Sequence, residues 1–264
     1  MAAPWVRQGF DMMPMPILSI ANLSKHFGGI HALNGIDLHI TEGEILGLIG
    51  PNGSGKTTLF NIVSGYIRPL MGTVTYRGVP LVRETIQKRG LAGLVRTFQM
   101  PQVFEQMTVI ENVMAGCAKL TRTTMLQDLL RTPAARDQMR VIRERAEAAC
   151  ERFHLRGLRD RPAASLTAGQ RRILELARAV VGQPRLLLLD EPSSGLNTQE
   201  IENLREWIVR LNAEGITILL VSHDMGLMTV ARTVHTLYFG EIIASGDMAS
   251  IQRDPRVREV YLGV

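Results

Sequence analysis

A lysine and two threonines stand directly behind a glycine-rich turn in Gly50-Pro51-Asn52-Gly53-Ser54-Gly55-Lys56-Thr57-Thr58. The first eight residues fit G-x-x-x-x-G-K-[ST], the spacing of a loop whose successive backbone amides turn inward around phosphate oxygens. A helix starting at Lys56 adds the positive potential of its amino terminus at the same point. On this reading Lys56 holds the β- and γ-phosphates of a bound nucleotide, the Thr57 hydroxyl reaches Mg²⁺, and Thr58 belongs to the same phosphate-binding stretch. The alternative is a plain glycine-rich turn with an exposed lysine, and the flanking elements speak against it.

A second group ends another apolar run. Leu186 to Leu189 is followed by Asp190-Glu191. In open α/β sheets ligands bind at the carboxyl ends of strands. Asp190 is therefore placed for Mg²⁺, and Glu191 for polarising a water in line with the γ-phosphate. Alone, such an acidic pair also suits a helix cap; together with the glycine-rich loop it points to phosphoryl transfer. Ser222-His223-Asp224 is not a hydrolase triad, because adjacent residues on one loop cannot form the relay.

The elements that must position these groups are legible in outline. Ile17 to Ile20 and Ile36 to Ile40 read as short strands, and Ile45 to Ile49 as a buried parallel strand leading into the loop. A helix is expected over Lys56 to Ser64. Residues from about 100 to 165 are rich in helix formers and arginine and suggest a helical insertion. Alternation then returns: helix Ala168 to Val181, strand Leu186 to Leu189, helix Thr198 to Asn212 and strand Ile216 to Val221. That order builds a parallel, doubly wound sheet. Two strands around Gly240 and a final helix near Met248 to Tyr261 complete it.

The 264 residues carry a formal charge of +5 and 45% hydrophobic residues, proportions that exclude disorder and collagen-like repeats. No apolar run approaches the roughly 18 to 20 residues that span a bilayer. Residues 1–16 read as a frayed leader rather than a secretory signal. Cys117 and Cys150 show no metal-type spacing and fit a reducing cytosol. The basic excess is local, with 13 basic and 6 acidic residues between Lys119 and Arg172. A solvated arginine-rich face explains it, with anionic lipid as the sharper alternative.

With Leu166-Thr167-Ala168-Gly169-Gln170 on the page, the chain resembles the ATP-binding subunits of ABC transporters over nearly its whole length. The segment is similar to the family's L-S-G-G-Q signature, with Ala168 in place of a glycine. The resemblance implies an α/β P-loop NTPase (RecA-like) fold: a doubly wound core, an N-terminal antiparallel β subdomain and a helical subdomain at about 100–165, all within residues 17–264. It also implies that Leu166 to Gln170 contact ATP held by a second ABC ATPase subunit in a head-to-tail dimer. A capping box made by Thr167 and Gln170 is compatible with that role.

Further positions match one by one. Gln99 resembles the residue that touches Mg²⁺ and the attacking water, and His223 the histidine that contacts the γ-phosphate. Asn197, where the family usually has aspartate, follows a D-loop-like Ser193-Ser194-Gly195-Leu196. Phe27 occupies the position of the aromatic that stacks on adenine. Lys25 to Gly29, Val95 to Gln99, Met107 to Val113, His223 to Met225 and Tyr261 to Gly263 are similar to the LivG-type branch, the ATP-binding subunits of branched-chain amino acid importers. That branch implies two transmembrane permease subunits, an indirect periplasmic or extracellular solute-binding protein, no nucleic acid, and a peripheral place on the cytoplasmic face of the bacterial inner membrane. Phe98, Met100, Phe104 and Met107 suggest a groove for a permease helix, or else core packing. A soluble ABC-type ATPase of translation or DNA repair is the alternative function.

Overall fold

The computed structural model describes residues 16–120 and 132–262. The expected leader lies outside them apart from Pro16, as do Gly263 and part of the stretch between Cys117 and Cys150. One sheet is antiparallel, with β1 (Pro16–Phe27), β2 (Ile30–Thr41), β4 (Met71–Tyr76) and β5 (Val79–Pro80) in the order β2-β1-β4-β5. The other comprises β3 (Ile45–Ile49), β6 (Leu94–Arg96), β7 (Leu186–Asp190), β8 (Thr217–Val221), β9 (Thr233–Tyr238) and β10 (Glu241–Gly246). Its order is β10-β9-β3-β8-β7-β6, parallel except for β10.

Strands β3, β7 and β8 are buried along their whole length, which is why they read as continuous apolar runs rather than alternating ones. Their side chains nevertheless divide by parity. Leu187 and Leu189 of β7 join one core cluster, while Leu186 and Leu188 join the other. The second cluster includes Leu59 and Phe60 of α1 (Lys56–Ser64) and the inner face of the antiparallel sheet. Each such buried leucine contributes about 1.5–3 kcal/mol, so covering both faces fixes where β7 ends and Asp190 begins.

On the other face lie α3 (Val109–Ala115), α4 (Pro133–Arg152), α5 (Ala168–Val181), α6 (Thr198–Ala213) and α7 (Met225–Met228). The short α2 (Ile86–Leu91) precedes β6. Among the described residues no strand falls between 100 and 165, as the sequence suggests. The first two strands are much longer than expected, because β1 and β2 pair over most of their length through several register shifts. The expected final helix is two: α8 (Met248–Arg253) and α9 (Pro255–Leu262). Asp254 between them is extended, as the residue before a proline prefers. No described helix is long and apolar enough to cross a membrane.

Candidate active site

The glycine-rich turn closes tightly between β3 and α1. Gly55 has φ 112°, and a Cβ there would lie 2.4 Å from the Ala32 carbonyl oxygen, so only glycine lets β2 press against the loop. The Gly240 amide donates to the Ser54 carbonyl at 2.9 Å, tying the β9–β10 turn to the same loop. The Ser54 hydroxyl is buried without a hydrogen-bond partner. An oxygen left so costs about 1–3 kcal/mol, and a phosphate oxygen seated in the loop would satisfy it. Lys56 is buried and donates to the Gly50 and Pro51 carbonyls at 2.6 and 2.9 Å. Burial pushes its pKa down, against the opposing charges of Glu191 and Asp190. Thr57 is exposed at the second position of α1. A cradle with a charged amine and a free buried hydroxyl fits the phosphates of a nucleotide and its divalent ion.

The acidic pair at the end of β7 has two different settings. Asp190 is buried and forms a 2.7 Å ion pair with Arg96 of β6. The same guanidinium donates to Asn61 and Ser64 of α1 at 2.7 and 3.0 Å. Glu191 turns the chain out of the sheet at φ 46°, while its amide still donates to the Val221 carbonyl of β8 at 2.9 Å. Its carboxylate meets His223 Nδ1 at 2.7 Å and accepts from the His223 amide at 3.3 Å. The structure thus brings Lys56, Asp190, Glu191 and His223 to one edge of the sheet. Ser193 and Ser222 hydroxyls, 3.1 Å apart, join the loops after β7 and β8 behind them.

Among the described residues, no hydrogen bond or ion pair joins the other expected site residues to this cluster. Thr167 and Gln170 form a reciprocal capping box at the start of α5, and among the described residues no hydrogen bond of Leu166–Gln170 reaches the phosphate loop. Gly169 is shaped by an internal neighbour: a Cβ there would lie 2.1 Å from Glu200 Oε1. Glu200 in turn closes the capping box of Asn197 at the start of α6. Gln99 is exposed, and its carbonyl accepts from Arg172 at 2.5 Å. Phe27 ends β1 half-exposed, with Lys25 Nζ 5.2 Å from its ring centre. Of the four residues expected at a docking groove, Phe104 lines a cleft of about 620 Å³ that also includes Leu91, Gln102, Val103 and Arg178. Met100, Phe104 and Met107 are exposed, so core packing does not account for them.

The ABC transporter family model matches residues 33–194, which span the phosphate loop, the α5 amino terminus and the Asp190-Glu191 strand end. This chain belongs to the ABC transporter family. As a cassette of that family it binds nucleotide and hydrolyses ATP to power transport. A second model, described as branched-chain amino acid ATP-binding cassette transporter, matches residues 241–264. The cassette is 40% identical to a high-affinity branched-chain amino acid transport ATP-binding protein, LivG, of Salmonella typhimurium, over 95% of this chain and 99% of that one. It is 37% identical to the corresponding protein BraF of Pseudomonas aeruginosa, with the same coverage. A nucleotide-free ATP-binding cassette from an ABC transporter superposes with a TM-score of 0.81 at 30% identity, covering 95% of this chain and all of that one. A cassette in its ADP conformation gives the same values.

Three features of the cassette escaped sequence reasoning. Arg96 reads only as part of the Val95–Gln99 stretch, yet it is the partner of Asp190; its place at the end of a three-residue strand gives no periodic signal. Arg172 and Glu175 form a buried ion pair, and their i, i+3 spacing on a helix is the signal that marks them. Tyr261, in the C-terminal matched region, buries its hydroxyl near the Glu191 charge, and burial pushes its pKa up to about 12.

Proposed function

We propose that this cassette energises import of branched-chain amino acids or related small polar solutes, with Glu191 as the base for ATP hydrolysis. The observation that carries the catalytic part is the Glu191 carboxylate held by His223 at the end of β7. The names of the relatives and the match of residues 241–264 support the solute class. In this reading residues 17–264 form one cassette, with a helical subdomain at about 100–165 inserted in the nucleotide-binding core.

The Gly50–Gly55 loop, through its backbone amides other than Pro51, and Lys56 bind and orient the phosphates, and Phe27 stacks on adenine. Glu191 takes the proton of the attacking water, which Gln99 orients, while His223 fixes Glu191 and faces the γ-phosphate. Asp190, Thr57 and Gln99 would hold Mg²⁺, whose charge would offset that of the phosphates. The Leu166–Gln170 corner does not bond to its own phosphate loop, so a head-to-tail dimer with an identical or paralogous ATPase subunit completes each site.

Two transmembrane permease subunits, an external solute-binding protein and a place on the cytoplasmic face of the bacterial inner membrane complete the proposal. The cleft beside Phe104 receives a permease helix. The test is copurification and reconstitution. Two hydrophobic subunits should accompany the chain, vesicles should take up leucine with ATP, and a cysteine at Phe104 should crosslink to a permease. Copurification with nucleic acid and no uptake would favour a soluble ABC ATPase instead.

A further inference from the structure

The turn between β9 and β10 consists of Phe239 and Gly240, and its first residue is out of character. Both have positive φ, 44° and 81°, the pattern of the tight hairpin turn for which Asn-Gly is strongly preferred. A bulky ring at such a position strains the backbone. The ring gains little in exchange. It is 73% exposed, and among the described residues the one ring against it is Tyr238, edge-on with centroids 4.4 Å apart. Strain of this kind, on a side chain that the core does not use, collects at ligand clamps.

The turn is fastened to both parts of the nucleotide site. The Gly240 amide donates to the Ser54 carbonyl of the phosphate loop at 2.9 Å, and the Gly240 carbonyl accepts from the Asn34 amide of β2 at 2.8 Å. Asn34 Nδ2 also donates to Glu241 Oε1 at 2.6 Å. The backbone of β2 is wedged between two glycines here: a Cβ on Gly240 would lie 3.0 Å from the Ala32 carbonyl oxygen, and one on Gly55 2.4 Å from the same atom. Ala32 is two residues, about 7 Å, along β2 from Ile30. Ile30 is 72% exposed and pairs with Phe27 across the β1–β2 turn. Two hairpin turns therefore flank the phosphate loop, each with an aromatic ring open to solvent. The bonds on either side of Phe239 set its backbone before any ligand arrives, which lowers the ordering cost of a contact made there.

We propose that Phe239 is a second aromatic contact for the base of the bound nucleotide, supplied by the β9–β10 turn as Phe27 is supplied by the β1–β2 turn. Phosphates seated on the loop fix the nucleotide at one end, and the base then covers apolar side chains that water otherwise wets. Every base offers a π-face, so the contact adds affinity for nucleoside triphosphates in general and does not choose adenine over guanine. The proposal deepens the reading of Phe27 as the adenine contact, and it carries its own variants.

Nucleotide titration of the full chain tests it, with inorganic tripolyphosphate as the ligand that has phosphates and no base. Phe239→Asn removes the ring and suits the left-handed backbone, so this variant should melt no lower than wild type. Its Kd for ATP and for GTP should rise about 5- to 50-fold, as expected for loss of a base–aromatic stack, while that for tripolyphosphate stays unchanged. Phe239→Trp should keep ATP affinity, and the emission it adds should be quenched by ATP and not by tripolyphosphate. An ATP Kd in Phe239→Asn like that of wild type, or an equal loss for tripolyphosphate, overturns the proposal. Should Phe239→Asn not fold, absence of quenching in Phe239→Trp overturns it alone. Phe27→Ala is titrated alongside: weaker ATP binding there with none in Phe239→Asn removes Phe239 and leaves Phe27 standing, and the reverse result removes Phe27 alone.

Discussion

Arg96 Nη2 donates to Asp190 Oδ2 at 2.7 Å, with both side chains under one-tenth exposed, so the carboxylate proposed for Mg²⁺ already carries a counter-charge. The rings of Phe60, Tyr66 and Phe98 lie 5.0–5.8 Å from the same guanidinium. Removing one partner of a buried ion pair costs about 3–5 kcal/mol because the other is left charged and unpaired. Arg96→Met should therefore lower the unfolding free energy by that order in urea titration. Adding Asp190→Asn should recover part of the loss; no recovery would mean that ring packing, not charge, holds Arg96 in place.

Glu191→Gln keeps the size of the side chain and removes the base. Phosphate release should fall by about 10²–10⁴-fold, while the Kd of a fluorescent ATP analogue stays within a factor of a few. Undiminished release would take Glu191 out of the proton-accepting role.

Gly169→Ala should disturb α6 as well as α5. The added methyl meets Glu200, which must leave its place in the Asn197 capping box. Loss of a cap costs about 0.5–2 kcal/mol, visible as a lower melting temperature. Glu200→Ala in the same chain removes the clash, so the double variant should melt no lower than Glu200→Ala alone.

Burial holds the His235 pKa below its ordinary value, opposed by the Glu44 charge. The unfolded chain therefore takes up a proton at this site at a pH where the folded chain does not. Stability from this group is complete above about 6.5, the ordinary histidine value, and is lost as pH falls from there through the folded pKa. His235→Gln should flatten that acid limb in denaturant midpoints measured across the range. An unchanged limb would assign the acid loss to other groups.

The phosphate loop, the acidic strand end and helices α1, α5 and α6 were legible because each joins a short-range pattern to a strong local preference. Ile45 to Ile49 can only be a strand buried on both faces, and Thr167 with Gln170 both signals and makes its cap. The antiparallel sheet was only half legible. Strand β4, Met71–Tyr76, is exposed over its first three residues, and β5 has two residues, too few to show a period. Arg96, Arg172 and Glu175 were missed for a physical reason: a charged side chain is usually solvated, and sequence spacing alone does not reveal that Asp190, Asn61 and Ser64 receive Arg96, or that backbone carbonyls and amides of Phe98, Gln99 and Gln102 receive the other two.

The backbone of Glu191 lies in the left-handed region, φ 46°, where a residue with a Cβ carries about 1–3 kcal/mol of strain and glycine carries almost none. A library selected only for heat resistance should thus enrich glycine at 191. Such clones would outlast the parent on heating and, under the role proposed for Glu191, lose ATP turnover. Under that role, the carboxylate at this corner trades robustness for turnover.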